Sequence, residues 1–139
     1  MLRALITGLM VAACASAVLA QELSKSPAGA KVVILEPANG ATVSSPVAVK
    51  FGVSGMEIAP AGTEKANAGH HHLLIDAKLD DPKGPIPADD GHKHFGKGQT
   101  DATIELKPGT HTLQLVLGDH NHIPHDPIVQ SEVVTITVK

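Results

Sequence analysis

The sequence lacks the residues that many binding proteins use to hold flat or aromatic ligands. Its 139 residues include no tryptophan and no tyrosine, and the only phenylalanines are Phe51 and Phe95. Because sugars, quaternary ammonium groups and unpaired bases are usually held against aromatic rings, these ligand classes are disfavoured. The formal net charge of −3 also removes the electrostatic attraction on which nucleic acids and anionic lipids depend. We therefore expect no nucleic-acid partner.

Cysteine is nearly absent as well, since Cys14 is the only one. The first 20 residues have a basic residue near their start, Arg3, continue through a short apolar stretch and end in small residues, which is the pattern of a secretory signal peptide. The stretch is too short for a stable membrane anchor. We predict cleavage after Ala20, no transmembrane segment in the mature chain, and a periplasmic or secreted location.

The alternative for this segment is a lipoprotein, because Val11-Ala12-Ala13-Cys14 also resembles a bacterial lipobox. The mature chain would then be lipid-anchored through Cys14. In both cases the folded domain has no disulfide and no thiolate ligand, so it must rely on its own hydrophobic core.

Short β-branched runs separated by Gly, Pro, Asn and Asp indicate strands, and no segment has the pattern of an amphipathic helix. Val47, Val49, Phe51 and Val53 alternate with small or polar residues, as expected for a strand with one buried face. The predicted strands cover residues 31–35, 47–53, 72–77, 102–106, 110–117 and 133–138. We predict an all-β fold, a small immunoglobulin-like antiparallel β-sandwich over residues 31–139, preceded by a flexible leader at residues 21–30.

Nine histidines are present, and all of them follow residue 69. Histidine is the commonest metal ligand in proteins and titrates nearest to neutral pH. Three H-x-H pairs occur, and residues two apart on a strand face the same way at about 6.5–7 Å, so both imidazoles of a pair can lean toward one ion. The candidate ligands are His70, His72, His92, His94, His120, His122 and His125.

The two other histidines have a structural interpretation. If Leu73 and Ile75 face the core, His71 faces it too, while His70 and His72 lie on the opposite face. By the same parity His111 shares a face with the leucines that follow it. We predict that His71 and His111 are hydrogen-bonded structural residues. The alternative interpretation of the remaining seven is that they are solvated surface histidines.

Two connections carry the remaining ligand candidates. The segment from Ala77 to Gln99 is long for so small a domain, which is typical of a functional or disordered loop. Residues 118–127 contain two prolines, which stiffen the chain and reduce the entropy lost when ligands converge. Asp119 and Asp126 have two open roles, as carboxylates that orient imidazoles or as turn residues. We predict that both segments lie over one end of the sandwich and contribute to one site.

A nitrogen-rich ligand set without thiolates suits copper(II), zinc or nickel, and a single methionine in the mature chain, Met56, argues against a copper(I) carrier. The leading hypothesis is an exported protein that binds copper or zinc for buffering, delivery or sensing. One alternative is a metalloenzyme with an open copper or zinc site, although no nucleophile or general base is apparent. Another is a pH-responsive module that binds another envelope protein.

Four blocks carry a resemblance to a known family. They are the Gly69–Asp76 block GHHHLLID, the His92–Thr100 block with HxHFGKGQT, the Pro108–Leu115 block PGTHTLQL, and the stretch from Gly118 to Pro127. The chain resembles the family of exported bacterial proteins designated domain of unknown function 4399. This resemblance implies a compact β domain in which the histidine blocks form a shared motif, and it implies no catalytic residues.

Overall fold

The computed structural model describes residues 14–139. The predicted signal peptide at residues 1–20 and the lipobox fall mostly outside the described residues. Among those that are described, no helix has the length and apolar character needed to cross a bilayer.

The described chain forms strands joined by turns and loops. The strands are β1 (Lys31–Glu36), β2 (Thr42–Val43), β3 (Val47–Ser54), β4 (Glu57–Ile58), β5 (Ala68–Ile75), β6 (His92–His94), β7 (Asp101–Ile104), β8 (Gly109–Gly118) and β9 (Val134–Val138).

These strands form two sheets. One sheet has the order β1-β3-β7, and the other has the order β2-β9-β8-β5-β4, with β6 also paired to β5. All pairs between the longer strands are antiparallel, whereas the two-residue strands β2 and β4 run parallel to β9 and β5. The predicted all-β sandwich is confirmed, and its antiparallel character holds for the longer strands.

The main core lies between the two sheets. On β3, Val47, Val49 and Phe51 are buried while Ala48 and Lys50 are exposed, as the alternation predicts. Transfer of such side chains from water stabilises the fold by about 1.5–3 kcal/mol each. The buried residues of this core are Val32, Val47, Val49, Phe51, Leu73, Ile75, Ile104, Leu113, Leu115, Leu117, Val129, Val134, Ile136 and Val138.

Strand β5 differs from its prediction in a way that matters for function. It begins at Ala68 instead of residue 72, and all eight of its residues are buried. Its pairing with β8 extends as far as His70 opposite Gly118. Consequently the three consecutive histidines lie within a central strand and not at its end.

Both faces of β5 are covered. Leu73 and Ile75 point into the main core, whereas Leu74 packs on the opposite face with Ile86 and Val116. Ile86 belongs to the long connection after β5, and its backbone amide donates to the His122 carbonyl at 2.8 Å. This loop is therefore folded back over the outer face of the larger sheet, where it helps to enclose the histidines.

Candidate metal centre

His70 and His72 project from the outer face of β5. Their side chains alternate with the core-facing His71 and Leu73, as parity predicts, but they are fully enclosed, at 0% and 1% exposure. The Nε2 atoms of the two rings lie 2.9 Å apart. The Nδ1 atoms of both rings are buried and have no hydrogen-bond partner among the described residues. Both imidazoles thus direct Nε2 toward the same point.

His94 joins this pair through the pairing of β6 with β5. It stands directly opposite His72 in the antiparallel register, and its ring centroid lies 5.1 Å from that of His72 and 4.9 Å from that of His70. His94 is exposed. It therefore forms the solvent side of the group.

His122 comes from the loop that follows β8. Its backbone φ is +65°, a left-handed conformation that a side-chain-bearing residue adopts only when its surroundings require it. A turn from Asp119 to His122 sets this conformation, since the His122 amide donates to the Asp119 carbonyl at 2.9 Å. His122 Nδ1 lies 3.0 Å from His70 Nε2.

The four imidazoles form one cluster, which we call the histidine cluster (His70, His72, His94 and His122). Each offers one ring nitrogen, and the four nitrogens lie within 4.8 Å of one another. A tetrahedral ion bound at about 2.0–2.1 Å keeps its ligand nitrogens close to about 3.4 Å apart. Small ring movements would bring these nitrogens to that separation, so the cluster has the composition and size of a four-histidine metal site.

The cluster is electrically suited to a cation that needs neutral imidazoles. Burial, with a smaller contribution from His94 and His122, lowers the pKa of His70 from 6.5 to about 4. The pKa of His72 falls further for the same reasons, and burial also lowers that of His94. These three rings carry a free lone pair at neutral pH, when metal ligation requires it.

Gly118 provides the space in which the rings meet. It lies opposite His70 on β8 and its amide backbone passes beneath the cluster. A Cβ atom at this position would stand 2.7 Å from His72 Nε2, closer than a carbon and a nitrogen can approach without displacement. The site therefore requires glycine at position 118, because a larger residue would displace the His72 ring.

The structure places the other three candidate ligands elsewhere. His92 stands opposite Leu74, two pairs further along β5 than His94, and its Nδ1 bonds the Asp89 carboxylate at 2.7 Å. The ring of His120 bonds the Asn121 side chain at 3.0 Å. His125 is buried between backbone carbonyls, with Nε2 3.2 Å from the Ala68 oxygen and Nδ1 3.4 Å from that of Leu117. None of these three rings belongs to the group of converging nitrogens.

The two histidines predicted to be structural have different surroundings. His111 bonds the Asp76 carboxylate at 2.6 Å and the Lys107 carbonyl at 2.7 Å, which confirms its hydrogen-bonded role. His71 packs against Phe51 on the core side, with ring centroids 4.9 Å apart, but neither of its ring nitrogens has a partner among the described residues. The prediction of a hydrogen-bonded His71 is wrong, because its ring faces the core beside Phe51 and neither nitrogen meets a hydrogen-bonding group there.

Asp119 acts on the backbone and not on an imidazole. Its Oδ1 accepts from the amides of Asn121 at 2.9 Å and Ile123 at 3.0 Å, so the turn interpretation of this residue is confirmed. Asp126 forms an ion pair with Lys25 at 2.9 Å and contacts no ring of the cluster. The parts of the site that sequence reasoning missed are Gly118 and this turn, since neither has a metal-ligating side chain to reveal it.

The fold and the cluster define an all-β protein whose central strand and two adjacent segments gather four imidazoles. The chain belongs to the family described as Domain of unknown function (DUF4399), which matches residues 49–139. The match includes most of β3, all of β4 through β9 and every residue of the histidine cluster. No curated protein and no solved structure matches the chain.

Proposed function

We propose that this protein binds one copper(II) or zinc ion at the histidine cluster. The observation that carries the proposal is the convergence of four ring nitrogens within 4.8 Å from three separate segments of the chain. Surface histidines that merely face solvent have no reason to converge in this way. Imidazole ligands without thiolates favour copper(II) and zinc over copper(I).

The arrangement favours metal binding and exchange over catalysis. Four protein ligands fill the tetrahedral coordination of zinc, whereas catalytic zinc sites keep a position open for water or substrate. His70 and His72 are enclosed, while His94 is exposed and His122 is partly exposed. An ion can therefore enter and leave on the side of His94 and His122, as buffering, delivery or sensing of a metal requires.

We also propose that the protein works outside the cytoplasm, in the periplasm or as a secreted protein. The pattern of residues 1–20 supports export. Metal content measured on untagged protein from its native compartment would identify the ion, because a polyhistidine tag would itself bind metal.

Each of two H-x-H pairs contains one cluster member and one residue outside the cluster, which gives matched controls. We expect His94→Ala and His122→Ala each to weaken binding of one zinc ion by a similar large factor. Because ligands of one ion act together, the double variant should lose much less than the sum of the two effects. His92→Ala and His120→Ala should bind as the unaltered protein does.

Titration of the four single variants and the double variant with zinc and with copper(II), against a competing chelator, measures these effects. Additive losses, equal losses in the control variants, or two or three weak ions per chain would overturn the proposal. In that case the histidines are independent surface chelators.

A further inference from the structure

The N-terminal leader is attached to the loop that carries His122. We call residues 24–26 the N-terminal strap. The Asp126 amide donates to the Ser24 carbonyl at 2.9 Å, and the Ser26 amide donates to the Asp126 carbonyl at 3.2 Å. The Ser26 hydroxyl also donates to the Pro127 carbonyl at 2.6 Å. The strap therefore lies along residues 126–127 in a bridge-like pairing.

One strap residue reaches further, into the turn itself. The Ser24 hydroxyl donates to Asp119 Oδ2 at 2.6 Å. Asp119 is 5% exposed, and its other oxygen, Oδ1, accepts the amides of Asn121 and Ile123. These are the two residues on either side of His122. Ser24 thus holds the carboxylate in the orientation that fixes the backbone around a cluster ligand.

Burial alone would raise the pKa of Asp119, but the hydrogen bonds from Ser24, Ile123 and Asn121 outweigh it and leave the pKa below its usual value. The carboxylate is consequently charged at neutral pH, and a charged acceptor makes stronger hydrogen bonds than a neutral one. Loss of the Ser24 hydroxyl would leave Oδ2 of Asp119 without this donor.

We propose that Ser24, acting through Asp119, is a positioning residue for His122, so that the N-terminal strap sets the metal affinity of the histidine cluster. This inference rests on the proposed metal-binding function. His122 needs such support because it is partly exposed, lies in a loop and has a left-handed backbone that the Asp119 turn holds. His70 and His72 are held instead by a central strand.

The test compares Ser24→Ala with Ser26→Ala, both made in the full-length chain. Each removes one strap hydroxyl, but only the first removes a donor to Asp119. We expect Ser24→Ala to weaken zinc binding by about 10-fold to 100-fold, the effect typical of losing a residue that orients a ligand. Ser26→Ala should change the zinc affinity by less than about 2-fold. Ser24→Thr, which keeps the hydroxyl, should bind zinc as tightly as the unaltered protein does.

Two further readouts separate positioning from a general loss of stability. In the cobalt(II) form, Ser24→Ala should change the visible absorption that reports the coordination geometry, while Ser26→Ala leaves it unaltered. In the metal-free protein, the Asn121 and Ile123 amides should exchange with solvent faster in Ser24→Ala than in Ser26→Ala. Combining Ser24→Ala with Asp119→Asn should cost less than the two single losses together.

The possible results keep the inference and the proposed function apart. If the unaltered protein binds zinc tightly and Ser24→Ala binds it equally well, the inference is overturned and the function stands. If the unaltered protein binds no metal, the proposed function fails, and unchanged amide exchange at Asn121 and Ile123 would overturn the positioning role as well.

Discussion

Gly118→Ala tests the geometry of the site without removing any ligand. The added Cβ would stand 2.7 Å from His72 Nε2 and 3.0 Å from its Cδ2, whereas ordinary contacts begin at 3.4 Å. To reach 3.4 Å from the new Cβ, His72 Nε2 must move by about 0.7 Å from its present 2.7 Å. Metal–ligand bonds tolerate departures of only about 0.2 Å. We expect the substitution to pull His72 out of the ligand set.

The expected size of the effect separates binding from folding. Loss of His72 from the ligand set should weaken zinc affinity by at least about 10-fold. Overpacking beside a buried ring should also lower the free energy of unfolding by about 1–3 kcal/mol. The φ of Gly118 lies outside the left-handed region, so alanine brings no backbone strain that would complicate this result.

Isothermal titration with zinc, together with urea unfolding of the metal-free protein, measures both effects. Gly91→Ala is the control, because the atom nearest to a Cβ there is the Ile75 carbonyl oxygen at 3.3 Å, only 0.1 Å inside ordinary contact, and none of the three nearest atoms belongs to a cluster ring. If Gly118→Ala binds zinc as tightly as Gly91→Ala while remaining folded, the rings do not meet over Gly118 as described.

Three further results are expected. Removal of metal with a chelator should leave the far-UV circular dichroism native, because the main core between the sheets does not include the cluster; unfolding would show that the site is structural, as in a zinc finger. Zinc should remain bound at about pH 6 and be released as the pH falls toward about 4, because the pKa values of His70, His72 and His94 lie below 6.5. Release of half the zinc at or above about pH 6.5 in a competition titration would contradict this. The hydrogen bond to Asp76 raises the pKa of His111 in the folded protein. The pair therefore stabilises the fold fully at pH values below the unfolded pKa of histidine, as long as Asp76 stays ionised. This stabilisation is lost as the pH rises through the raised pKa of folded His111. His111→Ala should therefore lower the free energy of unfolding more at about pH 6 than at about pH 9 in urea titrations, and an equal loss at both values would be inconsistent with the raised pKa.

Local pattern was sufficient to find the longer strands, apart from the start of β5, and to predict the direction of side chains along them. The alternation of Val47, Val49 and Phe51 predicts a half-buried strand, because successive residues point to opposite faces. The same parity places His71 on one face of β5 and His70 and His72 on the other. These features depend on residues close in sequence, so one sequence contains them.

The register of the strand pairs could not be predicted from the sequence. The alignments of His72 with His94 and of His70 with Gly118 are set by pairing between distant strands. A shift by one residue would turn each histidine to the opposite face. His92 lies on the same face as His94, but it stands opposite Leu74, two pairs away, and the H-x-H spacing alone does not reveal this difference.

The role of each loop histidine also depends on long-range contacts. His122 enters the cluster because the Asp119 turn holds its backbone in a left-handed conformation. His125, three residues later, faces two backbone carbonyls instead. Sequence spacing alone treats these two residues as equivalent candidates.

X-ray absorption spectroscopy of the protein carrying one equivalent of zinc or copper(II) tests the central claim most directly. A single ion held by the histidine cluster predicts four nitrogen neighbours at about 2.0–2.1 Å, with the multiple scattering characteristic of imidazole rings. The same spectrum should be lost in the double variant His94→Ala/His122→Ala and retained in His92→Ala. A first shell dominated by oxygen, or a spectrum that the double variant leaves unchanged, would show that the four histidines do not bind one ion together.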